Sequence, residues 1–206
     1  MHDMPHASTP YQDLTPDTIL SAVEATGRLT DGTLLALNSY ENRVYQIGIQ
    51  DALPLIAKFY RPARWSDAAI LEEHAFLMEL AEAEIPVVAP LVDADGKTLL
   101  TYAGYRFSLF PRQGGRAPDL ERPEQLEWLG RFLGRMHAVG AVRRFEQRAR
   151  IDTQTLGHEP REFILHSRFL PPELAPRYRE VTQLLLSGVQ RRFERSPGLR
   201  NIRLHG

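Results

Sequence analysis

One lysine of the sequence lies where an ammonium group is unexpected. Only Lys58 and Lys97 are lysines among the 25 basic residues, and the others are arginines. Lys97 belongs to the polar stretch 93–97, which predicts an exposed turn. Lys58 lies in the apolar run 55–60, which predicts a buried β-strand. Because burying an unpaired ammonium group costs several kcal/mol, we expect Lys58 to have an anionic partner.

An acidic partner is available on the helix predicted next along the chain. Ser66 predicts the N-cap of a helix over residues 66–83. Since successive residues are about 100° apart around a helix axis, Glu73 lies on the apolar face beside Leu77. An ion pair would offset much of the cost of burying either charge alone. The sequence therefore predicts a pair between Lys58 and Glu73.

The predicted pair has a definite chemical use. Protein kinases hold the α- and β-phosphates of ATP with a strand lysine that pairs with a glutamate of the following helix. The ammonium group supplies a compact positive charge, and the carboxylate fixes its orientation. The alternative interpretation is that Lys58 extends its ammonium group to the edge of the sheet and that Glu73 lies at the rim of the core.

The loop between the first two predicted strands is a candidate phosphate-binding loop. Its sequence is Asn38-Ser39-Tyr40-Glu41-Asn42, without the Gly-x-Gly-x-x-Gly pattern of protein kinases. Asn38 and Ser39 can turn the chain and offer backbone N–H groups and a hydroxyl to phosphate oxygens. The same residues serve equally well in a simple hairpin turn, so both interpretations stay open.

The predicted elements form an α+β chain with two lobes. Helices are predicted over 15–27, 66–83, 123–140, 159–169 and 173–194. Strands are predicted over 34–37, 43–49, 53–60, 87–92, 97–102, 105–110 and 199–204. Residues 1–110 therefore form an antiparallel-sheet lobe with one important helix, residues 111–118 form a Gly/Pro-rich linker, and residues 119–206 belong to a helical lobe.

Composition excludes several classes of protein. With 206 residues, 43% hydrophobic and 25% charged, the chain is globular rather than disordered or collagen-like. The absence of cysteine excludes disulfides, thiolate metal sites and cysteine nucleophiles. No apolar run reaches the length of about 18 residues that a membrane span needs, and residues 1–10 do not resemble a secretory signal. We therefore expect a cytoplasmic protein that does not bind membranes.

Charge is distributed unevenly along the chain. Residues 1–100 contain 15 acidic and 6 basic residues, whereas residues 101–206 contain 11 acidic and 19 basic ones. Such a basic half predicts either a surface for nucleic acid or a lobe attracted to its acidic neighbour. Because the net charge is only −1, we favour the second interpretation and expect no nucleic-acid partner.

Three blocks of sequence carry a resemblance to a known family. They are residues 37–46, 58–65 and 70–74. Together they resemble the bacterial stress response kinase A family, which are serine/threonine protein kinases of the aminoglycoside phosphotransferase-like fold. Shorter matches, shared more widely among antibiotic and choline kinases, are residues 84–87, 110–111 with 114–116, 133–137 and 203–206.

The resemblance implies a protein kinase-like fold and a nucleotide site. It implies that Ser39 contacts ATP, that Lys58 binds its phosphates, and that Glu73 orients Lys58. Phe110 and Pro111 would lie at the hinge beside the adenine. The implied cofactors are ATP and Mg²⁺, the implied phosphoacceptor is a protein serine or threonine in a stress response, and the full-length protein is expected to be a monomer.

The same resemblance implies that some functional residues lie outside the sequence. In this superfamily a His-Gly dipeptide is followed by the catalytic aspartate, and then by an asparagine and an aspartate that hold Mg²⁺. The sequence ends at His205-Gly206. We therefore expect no catalytic residue and no metal ligand in this chain, an incomplete helical lobe, and an inactive or incomplete fragment with poor stability on its own.

Three other functions remain open at this point. A small-molecule kinase of the same fold would phosphorylate a hydroxyl of an aminoglycoside, homoserine or a choline-like compound. A non-catalytic module would bind a nucleotide or a protein partner without phosphoryl transfer. A nucleic-acid-binding protein would use the basic half and would bind DNA with a steep dependence on salt.

Overall fold

The computed structural model describes residues 10–196 and 198–204. These residues divide into two compact units, one formed by residues 10–142 and 204 and the other by residues 143–196 and 198–203. Residues 111–118 lie inside the first unit, so their role as a linker between lobes remains a prediction. Within the described ranges, no helix combines the length and the apolar character that crossing a bilayer requires.

An antiparallel sheet of five strands forms the centre of the first unit. Its strands are β1 (Thr30–Leu37), β2 (Arg43–Ile49), β3 (Leu55–Phe59), β4 (Leu100–Tyr102) and β5 (Tyr105–Pro111). They lie in the order β1-β2-β3-β5-β4, and all neighbours are antiparallel. The predicted antiparallel sheet is therefore confirmed, together with the α+β fold class.

Three helices accompany this sheet. They are α1 (Pro16–Glu24), α2 (Asp67–Glu82) and α3 (Pro123–Gly140). Thr15 caps α1, since its side chain accepts a hydrogen bond from the backbone of Thr18 at 3.2 Å. Ser66 caps α2 in the same way, with the backbone of Ala69 as donor. These caps satisfy N–H groups that a helix start leaves without partners, and they place both helices where the sequence predicts them.

The two faces of the sheet have different neighbours. The core on one face joins α1 to the strands through Ile19, Ala22, Val23, Ile47, Ala57, Phe59, Phe107 and Leu109. Since successive residues of a strand point to opposite faces, Lys58 points away from this core. Its contact with Glu73 places α2 on the opposite face.

Two predictions of β-structure in the first unit need correction. Residues 87–92 form no strand, and in this segment only Leu91 donates a backbone hydrogen bond to β5, at 2.7 Å to the oxygen of Leu109. Pro90 has no N–H group to donate to a ladder. The strand predicted over 97–102 begins only at Leu100, because the backbone N–H of Lys97 is bound by the carboxylate of Asp93 in a turn.

The second unit is helical. It contains a π-helical turn (Gln154–His158), α4 (Glu159–His166), a 3-10 turn (Pro172–Leu174) and α5 (Ala175–Glu194). The predicted helices are present, but α4 ends before residue 169 and α5 begins after residue 173. Residues 199–204 form no strand, which corrects the prediction there. Their alternating pattern has no neighbouring strand with which to form a ladder in the part of the chain that the structure describes.

Candidate functional site

The predicted ion pair is present on the face of the sheet that α2 covers. Lys58 of β3 places Nζ 3.3 Å from Oε1 of Glu73 in α2, and the two side chains are 24% and 23% exposed. The ammonium group also lies 5.0 Å from the centroid of the Tyr60 ring. Because both charges keep some exposure, the pair is oriented and partly desolvated while the ammonium group stays within reach of an anionic ligand.

Strand register defines the surface around this pair. Residues directly opposite each other in a sheet point to the same face, as do residues two apart along a strand. The rows that share a face with the ammonium group are Leu37-Val44-Lys58-Ser108 and Leu35-Gln46-Ile56-Phe110. Leu35 and Leu37 are 53% and 36% exposed on this face. An apolar surface and a fixed cation therefore lie side by side, which suits a ligand with a flat ring at one end and phosphate at the other.

The loop between β1 and β2 is closed by its own hydrogen bond. Ser39 donates from its hydroxyl to the backbone oxygen of Asn42 at 2.5 Å. The hydroxyl is thus engaged within the loop, as in a hairpin turn, and the predicted contact of Ser39 with ATP stays a prediction.

Sequence reasoning missed the attachment of this loop to the segment before α2. The carboxylate Oε1 of Glu41 accepts hydrogen bonds from Nε1 of Trp65 at 3.1 Å and from Nε of Arg64 at 3.0 Å. Asn42 accepts one from the backbone N–H of Arg61 at 3.2 Å. The loop is therefore fixed to a neighbouring turn through side chains.

Phe110 and Pro111 end β5. Phe110 is 9% exposed, and its ring meets the His74 ring edge-on at a centroid distance of 6.3 Å. Pro111 pairs with Leu55 at the edge of the ladder. Because the Phe110 ring is buried against His74, an adenine base beside this strand end would contact mainly backbone atoms. The hinge role of the two residues remains a prediction.

A buried histidine next to Glu73 was also missed by sequence reasoning. His74 is 1% exposed, and its Nε2 and Nδ1 lie 2.7 Å from the hydroxyl of Tyr60 and 2.8 Å from the hydroxyl of Thr98. Burial lowers the pKa of His74 to about 4, while Glu73 raises it and Lys58 lowers it further. His74 is therefore a neutral ring that ties α2 to β3 and to the segment before β4.

The structure assigns no residue to a metal ion. Residues 10–196 and 198–204 contain no group of three or more His, Asp or Glu side chains that could hold one. His205 and Gly206, after which the resemblance expects the catalytic aspartate, lie outside the described residues.

Curated relatives align with nearly the whole of this chain. "Serine/threonine protein kinase RdoA" of Salmonella typhimurium strain LT2 is 40% identical over 196 residues, which are 95% of this chain and 59% of the relative. "Stress response kinase A" of Escherichia coli strain K12 is 38% identical over 203 residues, 98% of this chain and 61% of the relative. The chain thus spans about three fifths of the length of these relatives.

Solved structures share the fold. An amicoumacin kinase, hAmiN, in complex with AMP-PNP, Ca²⁺ and Ami, superposes with a TM-score of 0.56 at 23% identity, over 75% of this chain and 48% of that one. Spectinomycin phosphotransferase APH(9)-Ia, in complex with ADP and spectinomycin, gives 0.56 at 12% identity, over 90% of this chain and 59% of that one.

The sequence profile of the phosphotransferase enzyme family (APH) matches residues 33–206. This range begins inside β1 and includes the whole region around the Lys58–Glu73 pair. Together with the kinase-like sheet and the superpositions, this match establishes that the chain is a member of the phosphotransferase enzyme family.

Proposed function

We propose that this chain forms the ATP-binding part of a serine/threonine protein kinase that acts in a bacterial stress response. The observation that carries the proposal is the 3.3 Å contact between Lys58 and Glu73, on a sheet face that also exposes Leu35 and Leu37. The apolar surface would receive the adenine ring, and the ammonium group would receive the phosphates.

The pair supports phosphate binding through its geometry. Lysine is a compact point charge on a flexible stem, so its position must be fixed before it can orient a phosphate. The carboxylate of Glu73 and the ring of Tyr60 limit the positions open to the Lys58 ammonium group. Catalysis of phosphoryl transfer rests largely on such positioning and on charge neutralisation. Mg²⁺ would complete the charge neutralisation, as the family resemblance implies.

The proposed acceptor is a protein hydroxyl. It is supported by the names of the curated relatives, which match at 38–40% identity over nearly the whole chain. The solved structures that share the fold are named for small-molecule substrates, but their identity to this chain is lower. A small-molecule phosphotransferase is therefore the second candidate.

ATP binding tests the proposal directly. We expect the chain to bind ATP in a calorimetric titration, and we expect Lys58→Met to weaken binding about 10-fold or more, because one charge-assisted phosphate contact is lost. Lys97→Met is the matched control, since Lys97 also pairs with a carboxylate at 3.3 Å but is 64% exposed in a turn. Equal ATP affinities for the two variants would contradict the role of Lys58.

The acceptor is tested with ATP labelled in the γ-phosphate, using the chain extended past Gly206 by the segment that the resemblance predicts to supply the catalytic aspartate. Labelled dephosphorylated casein would support the proposed protein acceptor. Label on an aminoglycoside or an amino alcohol alone would replace it with the second candidate. ATP binding without transfer to any acceptor would favour the non-catalytic nucleotide-binding module.

A further inference from the structure

The loop between β1 and β2 is tied to the turn that leads into α2. We call this arrangement the loop clasp, formed by Glu41 and Asn42 on the loop side and by Arg61, Arg64 and Trp65 on the turn side. The Glu41 side chain is 25% exposed and binds both Nε of Arg64 and Nε1 of Trp65. Tyr11 adds a hydrogen bond from its hydroxyl to the backbone oxygen of Glu41 at 3.1 Å. The clasp therefore holds the loop at its carboxylate and at its backbone.

The turn side of the clasp is itself fixed. Arg106 donates from Nη1 to the backbone oxygen of Trp65 at 2.7 Å and to Oδ1 of Asp67 at 2.6 Å. Asp67 is the first residue of α2, and the preceding Ser66 is its cap. The clasp thus connects the loop to the start of the helix that carries Glu73.

Backbone conformation sets the turn side apart from an ordinary connection. Ala63 has φ of +58°, a left-handed conformation that a residue with a Cβ adopts only when its surroundings impose it. The Arg64 guanidinium lies over the Trp65 ring at 4.8 Å from its centroid. The turn is therefore held in a disfavoured conformation in which Arg64 and Trp65 both face Glu41.

The loop of the clasp begins directly after the row of strand residues that contains Lys58. Leu37 ends β1, pairs with Val44 of β2, and Val44 pairs with Lys58. The loop 38–42 leaves β1 at Leu37, a member of this row, and enters β2 one residue before Val44. A shift of the loop would change the space above this ammonium group, where the phosphates are proposed to bind.

We propose that Glu41 is a positioning residue for nucleotide binding, whose carboxylate holds the loop 38–42 against Arg64 and Trp65 in the arrangement that receives the phosphates. This inference rests on the proposed ATP-binding function. The clasp would take the place of the absent glycine-rich pattern. A glycine-rich loop can approach phosphates because its backbone is unhindered, whereas this loop is held in place by the partly buried carboxylate of Glu41.

Tryptophan fluorescence reports on the clasp. The chain has two tryptophans, and Trp128 lies on α3 with 65% exposure. Trp128→Phe therefore leaves Trp65 as the single reporter and alters a surface position far along the chain from the loop. We expect ATP to change the Trp65 emission in this background, because the ligand would bind against the loop that Trp65 holds.

The variants separate a positioning role from a structural one. In the Trp128→Phe background we expect Glu41→Leu to shift the Trp65 emission and to weaken ATP binding about 10-fold, with the thermal unfolding of the chain still cooperative. Glu41→Gln should recover part of the affinity, because its carboxamide oxygen still accepts from Trp65 while its lost charge no longer pairs with Arg64. Glu82→Leu, at an exposed glutamate near the end of α2, is the control and should change neither.

The results that would overturn the inference alone can be told apart from failure of the proposed function. If Glu41→Leu shifts the Trp65 emission but leaves ATP affinity unchanged, the clasp is structural and the ATP site stands without it. If the parent chain does not bind ATP at all, the proposed function is wrong and the inference falls with it. If Glu41→Leu fails to fold, Trp65→Phe is the second variant, since it removes the N–H donor to Glu41 and keeps an aromatic ring. This variant must weaken ATP binding, and unchanged affinity would again overturn the inference.

Discussion

Two lysines with the same ion-pair distance show how burial decides what a charge can do. Both Lys58 and Lys97 lie 3.3 Å from a carboxylate oxygen. The pair of Lys97 is largely exposed, so solvent screens it and it adds little to stability or recognition. The pair of Lys58 is three-quarters buried, so its position is restricted and its interactions are screened less. Only Lys58 is therefore suited to orient a ligand.

The buried hydroxyl of Ser108 predicts a measurable effect on stability. It lies opposite Lys58 across β3 and β5, is fully buried, and its hydroxyl has no hydrogen-bond partner among the described residues. A buried hydroxyl without a partner costs about 1–3 kcal/mol. We expect Ser108→Ala to raise the free energy of unfolding by about 1 kcal/mol, measured by urea denaturation.

A conservative control accompanies that prediction. Ser187→Ala, at a residue of α5 whose hydroxyl donates to a backbone oxygen of its own helix, should change the free energy of unfolding little. A clear loss of stability in Ser108→Ala would show that the buried hydroxyl has a partner, such as an internal water. It would contradict the conclusion that the Ser108 hydroxyl is unsatisfied.

Among the elements, α2 is the one whose position matters most, because it carries Glu73. The chain fixes α2 at its start through the Ser66 cap and the Arg106 contacts with Trp65 and Asp67. In its middle, His74 binds the hydroxyls of Tyr60 and Thr98. Both attachments use polar contacts, whose geometry is more specific than that of apolar packing.

The attachment of α2 through His74 predicts that the stability of the chain depends on pH. His74 has its pKa lowered to about 4 by burial, and the ordinary value of a histidine is about 6.5. Between these values the unfolded chain binds a proton that the folded chain does not, so stability falls as pH decreases from about 6.5 towards about 4. We expect this group to account for a loss of about 3 kcal/mol over that range, measured by urea denaturation at several pH values.

A variant without the titrating ring isolates this contribution. His74→Gln is expected to be less stable at neutral pH, because it does not reproduce both hydrogen bonds, but to lose this pH-dependent component. His137→Gln, at an exposed position of α3, should keep it. An undiminished pH dependence in His74→Gln would show that other groups produce it.

For the molecule as a whole, sequence predicts local features better than it predicts which segments meet. The starts of α1, α2 and α3 were predictable because a capping residue or a proline marks each one. The Lys58–Glu73 pair was predictable because each charge is costly to bury alone. The strand predicted over 87–92 was wrong: the apolar content of this segment favours a strand, but Pro90 has no N–H group to donate to a ladder.

Contacts between distant segments could not be predicted. Glu41 and Trp65 are 24 residues apart, as are His74 and Thr98, and neither pair follows from the period of a helix or a strand. The same limit applies to α3, where Leu126, Leu129 and Leu133 recur at helical spacing and yet are exposed. Periodicity predicts which side chains share a face, and it does not predict what covers that face.

The most direct test of the central claim uses the fact that the chain has only two lysines. An acylating derivative of ATP transfers its acyl group to a lysine that lies beside the bound phosphates, and peptide mass spectrometry locates the product. We expect Lys58 to be acylated and an excess of ATP to prevent this, while any acylation of Lys97 is unaffected by ATP. Acylation of the two lysines to the same extent, with no protection of Lys58 by ATP, would contradict the account.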